Sequence, residues 1–218
     1  MNALEHIRQE KLIVIARKIP EDRILYCAEA VIRAGIHLLE VTFDPADPDT
    51  LEKTPRMLKL LQARFGGILR LGAGTVLNTD AVRAARQAGA EYILSPNTNE
   101  KVIALTRELG MLPIPGACTP CEIEHAWECG AGLVKIFPVL PGGHRYVKTV
   151  MSPLSHIPFM LTGGVSPETV QDMLSTGACA LGAGASIFRP ELVRDNRYKD
   201  IEALASAHRK ALAGTEGE

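Results

Sequence analysis

Short apolar runs alternate with longer amphipathic stretches along nearly the whole chain. After a capping helix over about residues 2–10, the runs at 12–16, 37–42, 68–73, 92–94, 112–115, 133–137, 159–161 and 178–181 read as strands. The stretches at about 20–34, 48–64, 80–88, 100–109, 120–129, after Gly143, and 167–175 read as helices, and a last helix covers about 201–213. Ala34-Gly35, Ala88-Gly89, Cys129-Gly130 and Thr176-Gly177 each put a glycine just past a helix end, the expected left-handed cap before the next strand. Strands that are apolar throughout need cover on both faces. Eight βα units with no linker and no shift of composition therefore predict an α/β fold, a single (β/α)8 TIM barrel spanning residues 1–218 with its core at about 11–190. An open doubly wound sheet is the alternative. It asks for a glycine-rich first loop, which Ala16-Arg17-Lys18-Ile19-Pro20 is not. The tail, 214–218, is expected to be disordered.

In such a barrel, functional groups gather where strands end and βα loops begin. Nearly every unusual polar residue lies there: Arg17 after strand one, Glu40 and Thr42 in strand two, Thr75 after strand three, Ser95 and Asn97 after strand four, Thr119 after strand five, Lys135 in strand six and Thr162 after strand seven. Side chains alternate along a strand, so Glu40 shares a direction with Thr42, and Lys135 with Phe137. With those four inward, Leu39, Val41, Val134 and Ile136 face the helices.

Composition narrows the function. Hydrophobic residues make up 46% and charged residues 22%, as in ordinary soluble domains, and 24 basic against 25 acidic residues give a net charge of −1. No basic footprint suggests nucleic acid or an anionic membrane surface. No apolar stretch reaches the length of about 20 residues that a membrane helix needs, and the first residues show no apolar signal core, so a cytoplasmic protein is expected. Five cysteines, an odd number, argue against a disulfide framework. Cys118, Cys121, His125 and Cys129 form a cluster in which positions 121, 125 and 129 would share one helix face, which suggests a metal site. Pro120 opening a helix whose cysteine and alanine face the core explains the same spacing, and no metal is expected.

Lys135 carries the most chemistry. It lies in Gly132-Leu133-Val134-Lys135-Ile136-Phe137-Pro138, where a long cation is costly unless it snorkels to water or is used. Burial favours the neutral amine and makes it nucleophilic. A glutamate converging on the same mouth points to imine chemistry, with Glu40 moving protons; as a salt-bridge partner of Lys135, Glu40 would only satisfy burial. Thr162-Gly163-Gly164-Val165-Ser166 and Gly182-Ala183-Gly184-Ala185-Ser186 bring glycine backbone to where barrels hold phosphate, although glycine also serves tight strand-to-helix packing.

Taken together, Leu39-Glu40-Val41-Thr42, Gly72-Ala73-Gly74-Thr75-Val76-Leu77, Ser95-Pro96, Pro115-Gly116, Lys135-Ile136-Phe137-Pro138 and Thr162-Gly163-Gly164-Val165 resemble the 2-keto-3-deoxy-6-phosphogluconate and 4-hydroxy-2-oxoglutarate aldolases, class I enzymes of the (β/α)8 fold. The resemblance covers about residues 11–190. It implies a metal-free and cofactor-free lyase, usually trimeric, that cleaves a keto acid substrate to pyruvate and an aldehyde. In it Lys135 forms the Schiff base and Glu40 transfers protons. Arg17, Thr75, Pro96 and Phe137 line the pyruvate end, and Thr162, Gly163, Gly164, Gly184, Ala185 and Ser186 hold the distal end. Two positions depart from the pattern. Asp44 stands where many members carry arginine, which should weaken binding of an acid group nearby. Ala185 stands where a serine is common, with Ser186 one residue later and placed to recover part of its role. A phosphosugar isomerase or epimerase on a similar barrel, and a barrel that only binds an anionic metabolite, are the competing functions.

Overall fold

A computed structural model describes residues 2–140 and 142–214. Of the tail expected to be disordered, residues 215–218 lie outside the described residues. Among the described residues the strands are β1 (Leu12–Ala16), β2 (Leu38–Thr42), β3 (Arg70–Gly74), β4 (Tyr92–Leu94), β5 (Leu112–Ile114), β6 (Gly116–Ala117), β7 (Val134–Ile136), β8 (Phe159–Thr162) and β9 (Ala180–Ala183). All pair in parallel, in the order β5-β4-β3-β2-β1-β9-β8-β7-β6. The helices are α1 (Ala3–Glu10), α2 (Ile24–Arg33), α3 (Thr50–Phe65), α4 (Thr79–Gln87), α5 (Glu100–Glu108), α6 (Pro120–Glu128), α7 (His144–Met151), α8 (Val170–Leu174), α9 (Pro190–Arg194) and α10 (Tyr198–Ala213).

The two ends of the sheet are consecutive pieces of one strand. The expected fifth strand, 112–115, is broken at Pro115, which has no N–H to give to a ladder. Leu112–Ile114 pairs with β4, whereas Gly116–Ala117 pairs with β7. Pro115 still accepts from the Lys135 N–H at 2.8 Å, so the sheet closes through it as an eight-stranded TIM-type barrel. Other differences from the sequence expectation are small. The 20–34 stretch begins with a 3-10 turn, Glu21–Arg23, before α2. The short helix α9 was not expected, and the last helix starts three residues before position 201. Gly35, Gly89, Gly130 and Gly177 all have positive φ, as their cap positions require.

Strand alternation sorts the apolar residues into two cores. Leu39, Val41, Val134 and Ile136 join the large outer core under the helices. Ile13, Leu38, Tyr92, Leu94, Ile114, Leu133, Met160 and Ala180 fill the barrel interior. Ile7 of α1 belongs to that inner cluster and is fully buried, so the N-terminal helix plugs the barrel floor. Asn2 and Glu5 fix the plug's start with reciprocal side-chain bonds to backbone N–H groups. Above this apolar floor the inner wall changes character. Glu40 lies two residues beyond Leu38 and Lys135 two beyond Leu133, on the same inward face.

Ile7→Ala should open a hole in that floor. Truncating a fully buried isoleucine costs about 2–5 kcal/mol, read as a lower midpoint in urea. A loss below about 0.5 kcal/mol would show that α1 does not close the barrel.

Candidate active site

Lys135 and Glu40 reach the barrel mouth from β7 and β2, and both are buried, at 4% and 1% exposure. Two glycines make room beneath and beside the acid. Glu40 is in register with Gly72, whose missing side chain is replaced by the Tyr92 ring. A Cβ on Gly74 would collide with the Glu40 carboxylate, so that carboxylate lies directly on backbone. Its Oε2 is buried with no hydrogen-bond partner among the described residues, as is the Thr162 Oγ1 across the mouth. Buried polar atoms are nearly always paired, and two orphans at the same end of the barrel mark where a ligand's polar groups belong.

Burial governs both ionisable groups. It lowers the Lys135 amine below the ordinary value of 10.5; the nearby Arg17 cation pushes the same way, and the Glu40 charge opposes them. Burial also raises the Glu40 carboxyl, against the pull of Lys135 and Arg17. Each group is therefore shifted toward its neutral form, the opposite of what a stabilising ion pair does. The salt-bridge role considered for Glu40 is not what the structure displays. The Lys135 ammonium position lies 5.0 Å from the centre of the Phe137 ring, two residues along the same inward face.

Arg17 closes the mouth from the end of β1 and donates to Thr75 Oγ1 at 3.3 Å. Thr75 has φ 55, a left-handed backbone that a β-branched residue adopts only at a cost. A cavity of about 530 Å3 opens over this group. Its wall includes Arg17, Lys135, Phe137 and Thr162, together with Gly163, Gly164, Gly184, Ala185 and Ser186 from the two glycine loops. Glu40, Thr75 and Pro96 do not line it: Glu40 lies deeper, Thr75 is held by Arg17, and the Pro96 backbone packs on Gly116, the register neighbour of Lys135.

Three further placements differ from the sequence expectation. Asp44 faces a neighbouring hollow with Thr50 and Lys53, and pairs with Lys18 at 3.5 Å, so its charge is offset rather than aimed at the cavity. Ser186 has its hydroxyl 3.1 Å from Nε2 of His208, a fully buried residue of α10 that sequence reasoning missed. Cys121 is exposed, not core-facing; Ile123 and Ala126 are the buried residues of α6, which Thr119 and Glu122 start with a capping box and Pro120 enters at its first turn. His125 lies 3.3 Å from Glu100 and 3.7 Å from Cys129 on the outer helices. Lys18 also lines the cavity and was missed, although its place beside Arg17 at the end of β1 was the signal that could have found it.

A family model described as KDPG and KHG aldolase matches residues 4–204. The chain belongs to this aldolase family. It is 31% identical over 202 residues to the 2-dehydro-3-deoxy-6-phosphogalactonate aldolase of Escherichia coli (strain K12), covering 92% of this chain and 96% of that one. It is 28% identical over 202 residues to the 2-dehydro-3-deoxy-phosphogluconate aldolase of Haemophilus influenzae, covering 92% of each. A solved structure described as native KDPGal shares 30% identity with a TM-score of 0.81, over 93% of this chain and 94% of the other. The chain is thus a lyase of the class I aldolase kind, and neither the isomerase nor the passive binder considered from sequence is favoured. Among the described residues no helix is long and apolar enough to cross a membrane.

The opposed charges around Lys135 give a signed expectation. Labelling of its amine by acetic anhydride, followed by mass spectrometry, reports the neutral fraction against pH. Glu40→Gln removes the charge that holds the proton on, so the midpoint should fall. Arg17→Met removes a charge that drives the proton off, so the midpoint should rise. Shifts of the same sign in both variants would show that these side chains do not set the lysine's ionisation.

Proposed function

We propose that this chain cleaves a 2-keto-3-deoxy sugar acid, 6-phosphorylated or not, or 4-hydroxy-2-oxoglutarate, to pyruvate and an aldehyde, with Lys135 as the Schiff-base residue. The observation that carries this assignment is the one lysine buried among the described residues, driven toward its neutral form, on an inward strand position facing a buried carboxyl group. The neutral amine attacks the C2 ketone, and the carbinolamine loses water as Glu40, whose carboxyl burial raises above its ordinary value, supplies a proton. The resulting iminium draws electrons. The Glu40 carboxylate takes the proton of the C4 hydroxyl, the C3–C4 bond breaks, the aldehyde leaves, and the electron pair remains as an enamine. Glu40 returns the proton to C3, and water hydrolyses the iminium to pyruvate and the free amine, its surplus proton restoring the Glu40 acid. Arg17 would receive the substrate carboxylate. Thr75, Pro96 and Phe137 shape that end. Thr162 and the loops of Gly163, Gly164, Gly184, Ala185 and Ser186 take the distal end of the substrate. The whole chain works in this account as one barrel domain, in a cytoplasmic homo-oligomer, a trimer as in similar enzymes, serving carbohydrate metabolism without nucleic-acid or membrane partners.

Incubation with pyruvate and borohydride should attach one reduced adduct to Lys135, and Lys135→Met should lose trapping and turnover together. An adduct persisting on another lysine in that variant would overturn the assignment. Exchange of pyruvate methyl protons with D2O should slow by about a hundredfold or more in Glu40→Gln while trapping continues. Exchange at the wild-type rate would make Glu40 structural. Activity should survive strong chelation, because the iminium supplies the electrophile that a metal supplies in other aldolases. Loss with EDTA, restored by Zn2+, would instead implicate the Cys118–Cys129 segment.

A further inference from the structure

His208 is fully buried and has no part in the chemistry above, yet it is bonded to Ser186, which lines the cavity. Its Nδ1 lies 2.8 Å from the Leu204 carbonyl oxygen. A carbonyl can only accept, so the ring proton is on Nδ1. In the neutral imidazole this leaves Nε2 with a lone pair, 3.1 Å from Ser186 Oγ, and the serine must donate its only proton there. Toward the cavity, which Ser186 lines, the hydroxyl then presents lone pairs alone. At the position before Ser186, Ala185 has no hydroxyl to offer.

We propose that His208 is a specificity-determining residue: by taking the Ser186 proton it makes the distal subsite an acceptor, favouring a substrate end that carries its own hydroxyl over one that ends in a phosphate dianion. This rests on the aldolase assignment and refines its substrate class toward unphosphorylated 2-keto-3-deoxy acids. A terminal CH2–OH can donate to Ser186 Oγ. A phosphate dianion has no proton to give and meets lone pairs at Ser186. His208 acts through Ser186 and touches no substrate, so it positions rather than catalyses.

The test compares kcat/KM for a six-carbon 2-keto-3-deoxy acid with and without its 6-phosphate, at pH 8, where the phosphate is fully dianionic. Ser186→Ala removes the acceptor, and the phosphorylated-to-unphosphorylated ratio should rise by about ten- to a hundredfold, mainly through a higher KM for the unphosphorylated acid. His208→Phe frees the serine proton, so the ratio should rise there too. In the Ser186→Ala background, His208→Phe should move it no further, because the effect passes through that hydroxyl. A ratio that falls in Ser186→Ala would show the serine donating to phosphate, and a ratio within about twofold of wild type would make the His208–Ser186 bond purely structural; either overturns the proposal, even if His208→Phe does not fold. Pyruvate trapping by the wild-type protein together with an unmoved ratio in Ser186→Ala defeats this inference alone. Protein that neither traps pyruvate nor cleaves either acid defeats the aldolase assignment and this inference with it.

Discussion

Removal of water from around Lys135 and Glu40 is the constraint on which the site depends. Both groups are more stable charged in water, and both are shifted toward neutrality by burial in the barrel. A direct ion pair would offset that cost and would also disable the amine. The structure avoids it: the Glu40 carboxylate lies over Gly74 with one oxygen unpartnered, and Arg17 opposes the proton on Lys135. The rest of the fold serves this arrangement. An apolar interior plugged by Ile7 keeps solvent out from below, and the outer core locks the strands in register.

Cost is stored at the mouth as well. Thr75 holds a left-handed backbone, and Thr162 Oγ1 is buried without a partner. Such features persist only when the surroundings over-determine them, and here they cluster at one end of the barrel. The same end divides into two chemistries. Around Lys135 there are a cation, Arg17, and two groups that burial shifts toward their neutral forms. The side of the glycine loops is backbone together with the Ser186 hydroxyl, which is bonded to His208.

Much of this was legible in the sequence because it is local. Lys135 announces itself as a cation within an apolar run, Glu40 falls on the inward phase of its strand, and the cap glycines mark the helix ends. What was missed depends on contacts between distant elements. The His208–Ser186 bond joins residues 22 apart on different elements, and no spacing rule finds it. The Lys18–Asp44 pair links the β1 and β2 loops, which turned an expected repulsion into a neutralised charge. Pro115 was read as the end of a strand, whereas its missing N–H splits that strand at the seam of the barrel. Cys121 was assigned to the core because cysteine usually is buried, but the helix phase set by Ile123 and Ala126 turns it outward.

The central claim is that burial, not a partner, sets the ionisation of Lys135. Heteronuclear NMR titration of its side-chain nitrogen, assigned by comparison with Lys135→Met, measures this directly. The account predicts a midpoint clearly below the ordinary lysine value of 10.5. A midpoint at or above that value would mean that Lys135 is held as a cation by its surroundings and is not the nucleophile.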